Sequence, residues 1–435
     1  MVASDQNIEW FRHTGPYIKA HRGRTFVVYL GSGALEASHR LSLIHDLALL
    51  HSLGIRLVVV HATREGISAT LEAQGTEQHF HRGIRVTDDA ALAAAAQVAS
   101  SQQRQLEQLL SMGLPNTPLK GSRLRVMSGN FVTGRPLGIH DGIDFQHTGS
   151  VRRIDAAGIF SVLEHDAIAL LPPLAYSPAG ELFSVSATEL AETIAIAIGA
   201  DKLILLDRPE GLSGETGELI RQCTLELAQQ LSLDDAEQQR LRDAACRACA
   251  QGVERSHIIS FVRDGALIEE LFTHDGAGTL IAQNPYEQAR QAQIEDIAGM
   301  LELIRPLEEA GALVQRSRER LEEEIPYFTV LERDGRVIAC AALYPHPEEC
   351  LGEVACVATH PDYRGEGRAE QLLGVLLAQA HSLGISRVFA LTTQSTHWFL
   401  EQGFVSGTPE DLPAERQRLY NWQRNASVLI RRVLP

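Results

Sequence analysis

Through the first two thirds of the chain, apolar residues gather in short unbroken runs set between stretches of helical period. TFVVYL at 25–30 turns at Gly31-Ser32-Gly33, and the helical stretch RLSLIHDLALLHSLG leads to a second run, IRLVVVHA at 55–62. Runs without alternation read as strands covered on both faces, and strand, crossover helix and parallel strand together mark an α/β sheet. The pattern continues with a long helix, ALAAAAQVASSQQRQLEQLLSMG, and an extended stretch, LRVMSGNFVTGRP. The runs AIALLPPLA and DKLILLD follow around a helix containing ATELAETIAIAIGA, and a further helix precedes the strand SHIISF and the short helix DGALIEELF. Residues 5–20 read as a short N-terminal helix broken at Gly15-Pro16, because proline removes a backbone donor and crowds the preceding turn.

Asn284-Pro285-Tyr286 interrupts this pattern and reads as a linker, which divides the chain into 1–282, a joint at 283–287, and 288–435. The second unit opens with the helix IEDIAGMLELIRPLEEAG and continues through YFTVLERDGRVIACAALYP, where Asp334-Gly335 predicts a hairpin turn. In the stretch EVACVATHPDYRGEGRA, strict alternation places Glu353, Ala355 and Val357 on one strand face and Val354, Cys356 and Ala358 on the other. Pro361 ends that strand. The loop Arg364-Gly365-Glu366-Gly367 leads into a helix whose apolar stripe is Leu372, Leu373, Leu376, Leu377 and Ala380, closed by Gly384. RVFALTT, HWFLEQGF and SVLIRRVL then add strand, helix and strand. The expected fold is an α/β unit with a mostly parallel sheet, followed by an α+β unit with a mixed sheet.

Composition narrows the function classes. A chain of 435 residues with 44% hydrophobic and 22% charged residues fits two or three soluble globular domains. A net charge of -16 excludes a nucleic-acid partner, since no basic field replaces counterions. No apolar run nears the roughly 18 residues that span a bilayer, so no membrane partner is expected. MVASDQNIEWFRHTG lacks the apolar segment of a signal peptide, and a cytoplasmic protein is expected. The six cysteines make no disulfide framework in a chain this long. Cys246-x-x-Cys249 has no second pair to complete a zinc site, and His79-x-His81 is isolated. His39, His45 and His51, six apart, do not share one helical face, so no metal is expected.

Strand, glycine loop and helix start make an anion cradle, because glycines let the backbone approach closely while unpaired N–H groups at the helix N-terminus face a phosphate. The pattern R-x-x-G-x-A, met by Arg364, Gly367 and Ala369, resembles the acetyl-CoA pyrophosphate loop of the GNAT acetyltransferases. That resemblance implies acetyl-CoA as co-substrate, held along Cys356, Val357, Arg364, Gly365, Glu366, Gly367, Arg368 and Ala369. The first unit resembles the amino-acid kinase fold, specifically N-acetylglutamate kinase, with its phosphoryl-transfer parts missing. Tyr29 stands where that family places its lysine, the glycine signature is reduced to His61-Ala62-Thr63-Arg64-Glu65, and LFSVSATEL lacks the expected acidic residue. Binding without kinase chemistry is the expectation. The segment SHIISFVRDGALIEELFTHDGAGT resembles the arginine-binding region of arginine-inhibited members. This implies an L-arginine site at Tyr17, Lys202, His257, Glu270 and Gly276, with Glu270 taking the guanidinium bidentately and Lys202 meeting the α-carboxylate.

Both halves together resemble the N-acetylglutamate synthase family, most specifically at RSRERLEEEI, CAALYPHPEE, GEVACVATHPDYRGEGR, LTTQSTHWFLEQGF and LYNWQRNASVL. The resemblance implies acetylation of L-glutamate on its α-amine, inhibition by arginine, and a homo-hexamer. The α-amine must lose a proton before attacking a thioester, and Glu353 is the candidate base. The backbone N–H of Cys356 or Val357 is a candidate oxyanion donor, and Thr392 matches the family hydroxyl that serves the departing thiolate. Arg316 and Arg424 match the glutamate-binding arginines, with Cys356 beside them. Ala426 stands where the family commonly has serine, which leaves Ser427 as the nearby hydroxyl. Three alternatives stand beside this: a Cys356 acetyl-enzyme, a GNAT acting on another acidic amine, and an arginine-sensing protein with an inactive acetyltransferase half.

Overall fold

The unbroken apolar runs become the interior strands of an eight-stranded sheet. This is seen in a computed structural model that describes residues 2–112, 124–214, 217–273, 275–283, 287–333, 335–365, 367–418 and 426–433. The chain divides into Met1–Pro285 and Tyr286–Pro435; the Asn284-Pro285-Tyr286 joint lies outside the described residues.

In the first unit the sheet strands are β1 (Thr25–Leu30), β2 (Arg56–His61), β3 (Arg125–Met127), β4 (Ala167–Leu171), β5 (Lys202–Asp207), β6 (Gln222–Thr224), β7 (Arg255–Ser260) and β8 (Thr279–Ala282). Their order across the sheet is β6-β8-β7-β5-β1-β2-β4-β3, and every pairing is parallel except β7 with β8. All residues of β1, β4 and β5 are buried, as double coverage by helices requires. One face meets α4 (Ala187–Ala197) and α5 (Ala236–Ala250). The other meets α2 (Arg40–Ser52), α3 (Asp89–Ser111) and α6 (Ala266–Phe272).

Two readings need correction here. The helix α1 runs unbroken from Val2 to His21 through Pro16. Gly15 and Pro16 are exposed, where water can take the carbonyl that loses its donor. Tyr17 and Ile18 meanwhile pack on the core, and His21 Nε2 lies 2.8 Å from the Leu271 carbonyl oxygen, so docking outweighs the local penalty. The stretch LRVMSGNFVTGRP also splits: β3 joins the main sheet, while Val132–Pro136 pairs with Gly149–Ile154 and Leu174–Tyr176 in a separate four-stranded sheet.

The second unit holds a seven-stranded mixed sheet. Its strands are β9 (Gln288–Gln291), β10 (Phe328–Arg333), β11 (Arg336–His346), β12 (Leu351–Thr359), β13 (Arg387–Thr392), β14 (Val405–Ser406) and β15 (Ser427–Arg432), in the order β9-β10-β11-β12-β13-β15-β14. The edge strand β9 escapes sequence reading because it is short and carries glutamine, arginine and one alanine. The helices α7 (Ile297–Glu309) and α8 (Arg318–Glu324) come before β10, and Met300, Leu303, Ile304 and Leu321 bury against one sheet face. On the other face lies α9 (Arg368–Ser382), whose Leu372, Leu373, Leu376 and Ala380 are buried at the predicted spacing. The short helices α10 (Thr396–Glu401) and α11 (Ala414–Arg418) follow β13 and β14.

Candidate active site and effector cluster

The central strands of the second unit part company. β12 and β13 pair in parallel only at Leu351, Gly352 and Glu353, opposite Arg387, Val388 and Phe389. Beyond Glu353 no pairing joins Val354–Thr359 to Ala390–Thr392, so two strand edges face each other with peptide groups available. A slot of this kind accepts an extended chain bearing amides of its own.

A β-bulge sits on the wall of the slot. Ala342 opposes Ala355 and Cys340 opposes Ala358, so Cys356 and Val357 together face the single residue Ala341. Cys356 has φ +53°, a left-handed conformation that non-glycine residues seldom adopt. The extra residue breaks the strict alternation expected from sequence: Val357 joins Val354 on the α9 face, while Ala355 joins Cys356 and Ala358 on the α7 face. Bulges free a backbone N–H from the ladder and recur beside active sites. The Cys356 thiol is buried, and that burial pushes its pKa up to about 12, a protonated thiol unsuited to nucleophilic attack.

Where the slot opens, Gly365 (φ +85°) and Gly367 (φ +76°) turn the chain into α9. Apart from its chain neighbours, no heavy atom among the described residues is found within 4 Å of where a Cβ would stand at either glycine. The N-cap Gly367 offers no side chain, and the first turn of α9 has no side-chain cap among the described residues. The N-terminal N–H groups of a helix begun in this way suit an anion. Arg364 is exposed, its Nε donating to the Thr359 carbonyl oxygen at 3.3 Å. Arg368 departs from a phosphate-reaching role, because its guanidinium is buried on Glu287 (2.7–2.9 Å) and the Tyr363 carbonyl oxygen (3.0 Å). Ala369 lies in the same first turn, and Glu366 lies outside the described residues.

Glu353 marks the last paired position before the strands separate, and it is buried. Its Oε2 accepts from Nε of Arg416 at 2.6 Å, with a second, shorter contact from the same guanidinium. Tyr344 is its cross-strand neighbour, and the Tyr344 hydroxyl donates to Glu324 Oε2 at 2.6 Å. Arg316, nearly buried, reaches the same oxygen at 3.4 Å, while Arg320 donates to Glu324 Oε1 at 2.7 Å. Burial opposes the Glu324 charge, yet hydrogen bonds from Tyr344 and Arg320 hold its carboxyl below the usual value. Thr392 ends β13. Its hydroxyl oxygen accepts from the N–H of Ser395 (2.9 Å) and of Gln394 (3.3 Å), which fixes its position and leaves the proton to be donated. The structure thus gathers Arg316, Glu353, Cys356, Val357 and Thr392 around one slot; Arg424 lies outside the described residues. Sequence reading missed Arg416, Glu324 and Tyr344. The latter two fall within RSRERLEEEI and CAALYPHPEE, stretches already singled out, whereas nothing marks Arg416 among the charges of PAERQRL.

In the first unit, Lys202 Nζ on β5 lies 3.3 Å from His257 Nε2 on β7, and His257 Nδ1 lies 2.6 Å from Glu270 Oε1 on α6. Burial and the Lys202 charge lower the His257 pKa to about 4, so a neutral ring bridges the ammonium and the carboxylate. Glu270 Oε2 accepts from the N–H groups of Ala277 (2.7 Å) and Gly278 (2.9 Å). Burial works against its charge, but these bonds bring its carboxyl below the usual value. A Cβ at Gly276, whose φ is +65°, would stand 2.7 Å from Glu270 Oε2. Tyr17 packs on the same apolar cluster as Leu267 and Leu271 of α6. The four residues beside Tyr17 therefore come together as predicted. Glu270 Oε1 already faces His257 and Oε2 accepts from two amides, with the side chain 5% exposed, so a guanidinium would share the carboxylate with these partners.

The C-terminal ends of β1 and β5 hold a second polar cluster. The Tyr29 hydroxyl donates to Asp207 Oδ2 at 3.2 Å, and Arg240 donates to the same oxygen at 3.0 Å while also bonding Glu237 and Thr188. A Cβ at Gly31 would meet the Asp207 carboxylate at 2.6 Å.

A splayed parallel strand pair, a bulge and an uncapped glycine turn define an acetyltransferase of the GNAT type joined to an amino-acid-kinase fold. The family model for the amino acid kinase family matches residues 24–260, and that for the acetyltransferase (GNAT) family matches 278–404. The amino-acid acetyltransferase of Ectopseudomonas mendocina is 49% identical over 97% of this chain and 98% of its own, and that of Azotobacter vinelandii is equally similar. This chain belongs to the amino-acid acetyltransferase family and is an acyltransferase enzyme. Among solved structures, N-acetylglutamate synthase from Neisseria gonorrhoeae complexed with coenzyme A and L-arginine is 36% identical, with a TM-score of 0.91 over 98% of this chain and 99% of that one. The same enzyme complexed with coenzyme A and N-acetyl-glutamate is 38% identical with a TM-score of 0.64.

Proposed function

We propose that this enzyme makes N-acetyl-L-glutamate from L-glutamate and acetyl-CoA by direct attack of the α-amine on the thioester. The observation that carries the reading is the slot that opens at Glu353 and leads to the bare glycine turn of α9. The pantetheine arm of acetyl-CoA lies along the unpaired edges of β12 and β13, and its diphosphate rests on the N–H groups of Gly367, Arg368 and Ala369, with Arg364 alongside. Glu353 takes the ammonium proton, directly or through a water, and the amine attacks the thioester carbonyl carbon. The N–H of Cys356 or Val357, aimed by the bulge, stabilises the oxyanion. The carbonyl then re-forms as the C–S bond breaks, the nitrogen gives its remaining surplus proton to the departing thiolate, and the Thr392 hydroxyl relays that proton or donates a hydrogen bond to the sulfur. Arg316 and Arg424 hold substrate carboxylates. Cys356 contributes main chain alone.

In the first unit, L-arginine binds at Tyr17, Lys202, His257, Glu270 and Gly276 and inhibits the enzyme. Glu270 there orders the 276–278 turn and keeps His257 in the tautomer that accepts from Lys202. The Tyr29–Asp207–Arg240 cluster fills the strand ends where a phosphoryl-transfer site would lie, which supports a unit that binds and carries no kinase chemistry. A cytoplasmic homo-hexamer completes the proposal. A thiol-release assay tests it: coenzyme A release that depends on L-glutamate and falls with L-arginine is expected. Release unaffected by glutamate would contradict the reading.

A further inference from the structure

Two cations beside the slot are neutralised by carboxylates of the chain itself: Arg316 faces Glu324, and Arg416 faces Glu353. The second pairing sets a problem for the reaction, because a carboxylate oxygen accepting from a guanidinium is not free to take a proton. Resting on the function proposed above, we propose that Arg416 is a positioning and specificity residue that exchanges Glu353 for the side-chain carboxylate of the incoming diacid, sharing that group with one of the two clamping arginines, Arg316 or Arg424. The exchange keeps every charge paired. An ammonium group suits Glu353, a side-chain carboxylate suits Arg416, and one internal ion pair becomes two between enzyme and substrate. A buried carboxylate left alone is costly, so Glu353 keeps its partner until another cation arrives.

The geometry assigns the moving part. Glu353 lies within a strand paired on both sides, its side chain 7% exposed. Arg416 stands on the five-residue helix α11 with its side chain 28% exposed. The long stem on a short surface helix can swing away, while the Glu353 carboxylate, its backbone fixed in the sheet, only turns about its own side-chain bonds. The arrangement also favours acidic side chains: an amide in place of the carboxylate leaves Arg416 without an anion once Glu353 has turned to the amine. An acidic amino acid thus unlocks its own base.

Thiol release by wild-type, Arg416→Gln and Arg416→Lys enzymes tests this with L-glutamate and L-glutamine, with coenzyme A affinity measured on each variant to report an intact fold. Arg416→Gln should raise KM for glutamate about ten- to a hundredfold, the size of one charge-assisted pair, with a smaller change in kcat. The preference for glutamate over glutamine should fall by a similar factor, and lysine should restore part of both. A coenzyme A-binding Arg416→Gln enzyme with unchanged KM and preference overturns the inference. So does a loss confined to kcat with the preference intact, which would leave Arg416 as support for Glu353 alone. Wild-type enzyme without glutamate turnover would instead remove the function reading itself, a failure distinct from one confined to the variants.

Discussion

The two units treat the ends of their central strands in opposite ways. At the ends of β1 and β5, Tyr29 and Arg240 both donate to Asp207, and Gly31 lies against the carboxylate with no room for a Cβ. At the ends of β12 and β13 the strands separate, the edges stay unpaired, and the glycines of the turn face open space. An α/β sheet places ligands at its strand ends, but only where polar groups remain to be satisfied from outside. Where the chain engages its own polar groups there, the fold keeps its shape while those groups are turned to one another. The Lys202–His257–Glu270 chain lies between these extremes: a closed network that shapes a neighbouring turn.

The contrast is most easily broken at the open end. Glu353→Gln should lower kcat about a hundred- to ten-thousandfold, the usual worth of a general base, with coenzyme A affinity unchanged in a binding assay. Arg316→Ala should act on substrate instead, raising KM for glutamate about ten- to a hundredfold while KM for acetyl-CoA holds. Gly367→Ala puts a side chain at φ +76°, a strain of about 1–2 kcal/mol, and should weaken acetyl-CoA about five- to thirtyfold in steady-state kinetics without touching glutamate.

At the closed end the expected effects are on stability. In the folded chain His257 stays neutral until the pH nears 4, whereas an unfolded imidazole takes its proton near 6.5. The unfolded state therefore binds the additional proton between those values. Stability present above pH 6.5 is lost as the pH falls toward 4. Calorimetry should show the melting temperature dropping through that window, and His257→Gln should flatten the drop.

Most of the architecture was legible because double burial writes itself as unbroken apolar runs, and the α9 stripe because its leucines fall at helical spacing. The glycine turn was legible for the same reason its chemistry works: only glycine takes φ +85° and +76° cheaply. The bulge at Cys356 was not, since one inserted residue leaves local composition unchanged and shows only as a shift in pairing with β11. The unbroken α1 was misread because docking of Tyr17, Ile18 and His21, a tertiary effect, outweighs the local signal of Pro16. Arg416 was hidden because α11 and Glu353 meet only in space, 63 residues apart. At Glu270 the residue type was legible, but its bonds to His257 and to the Ala277 and Gly278 amides were not, because they depend on the fold.

The central claim concerns where the thioester substrate lies, and a crystal structure with coenzyme A tests it most directly. The account predicts the diphosphate on the main-chain N–H groups of Gly367–Ala369 and the pantetheine arm between β12 and β13, its sulfur beside Glu353 and Thr392. A diphosphate held elsewhere, or an arm lying outside the parted strands, would contradict it.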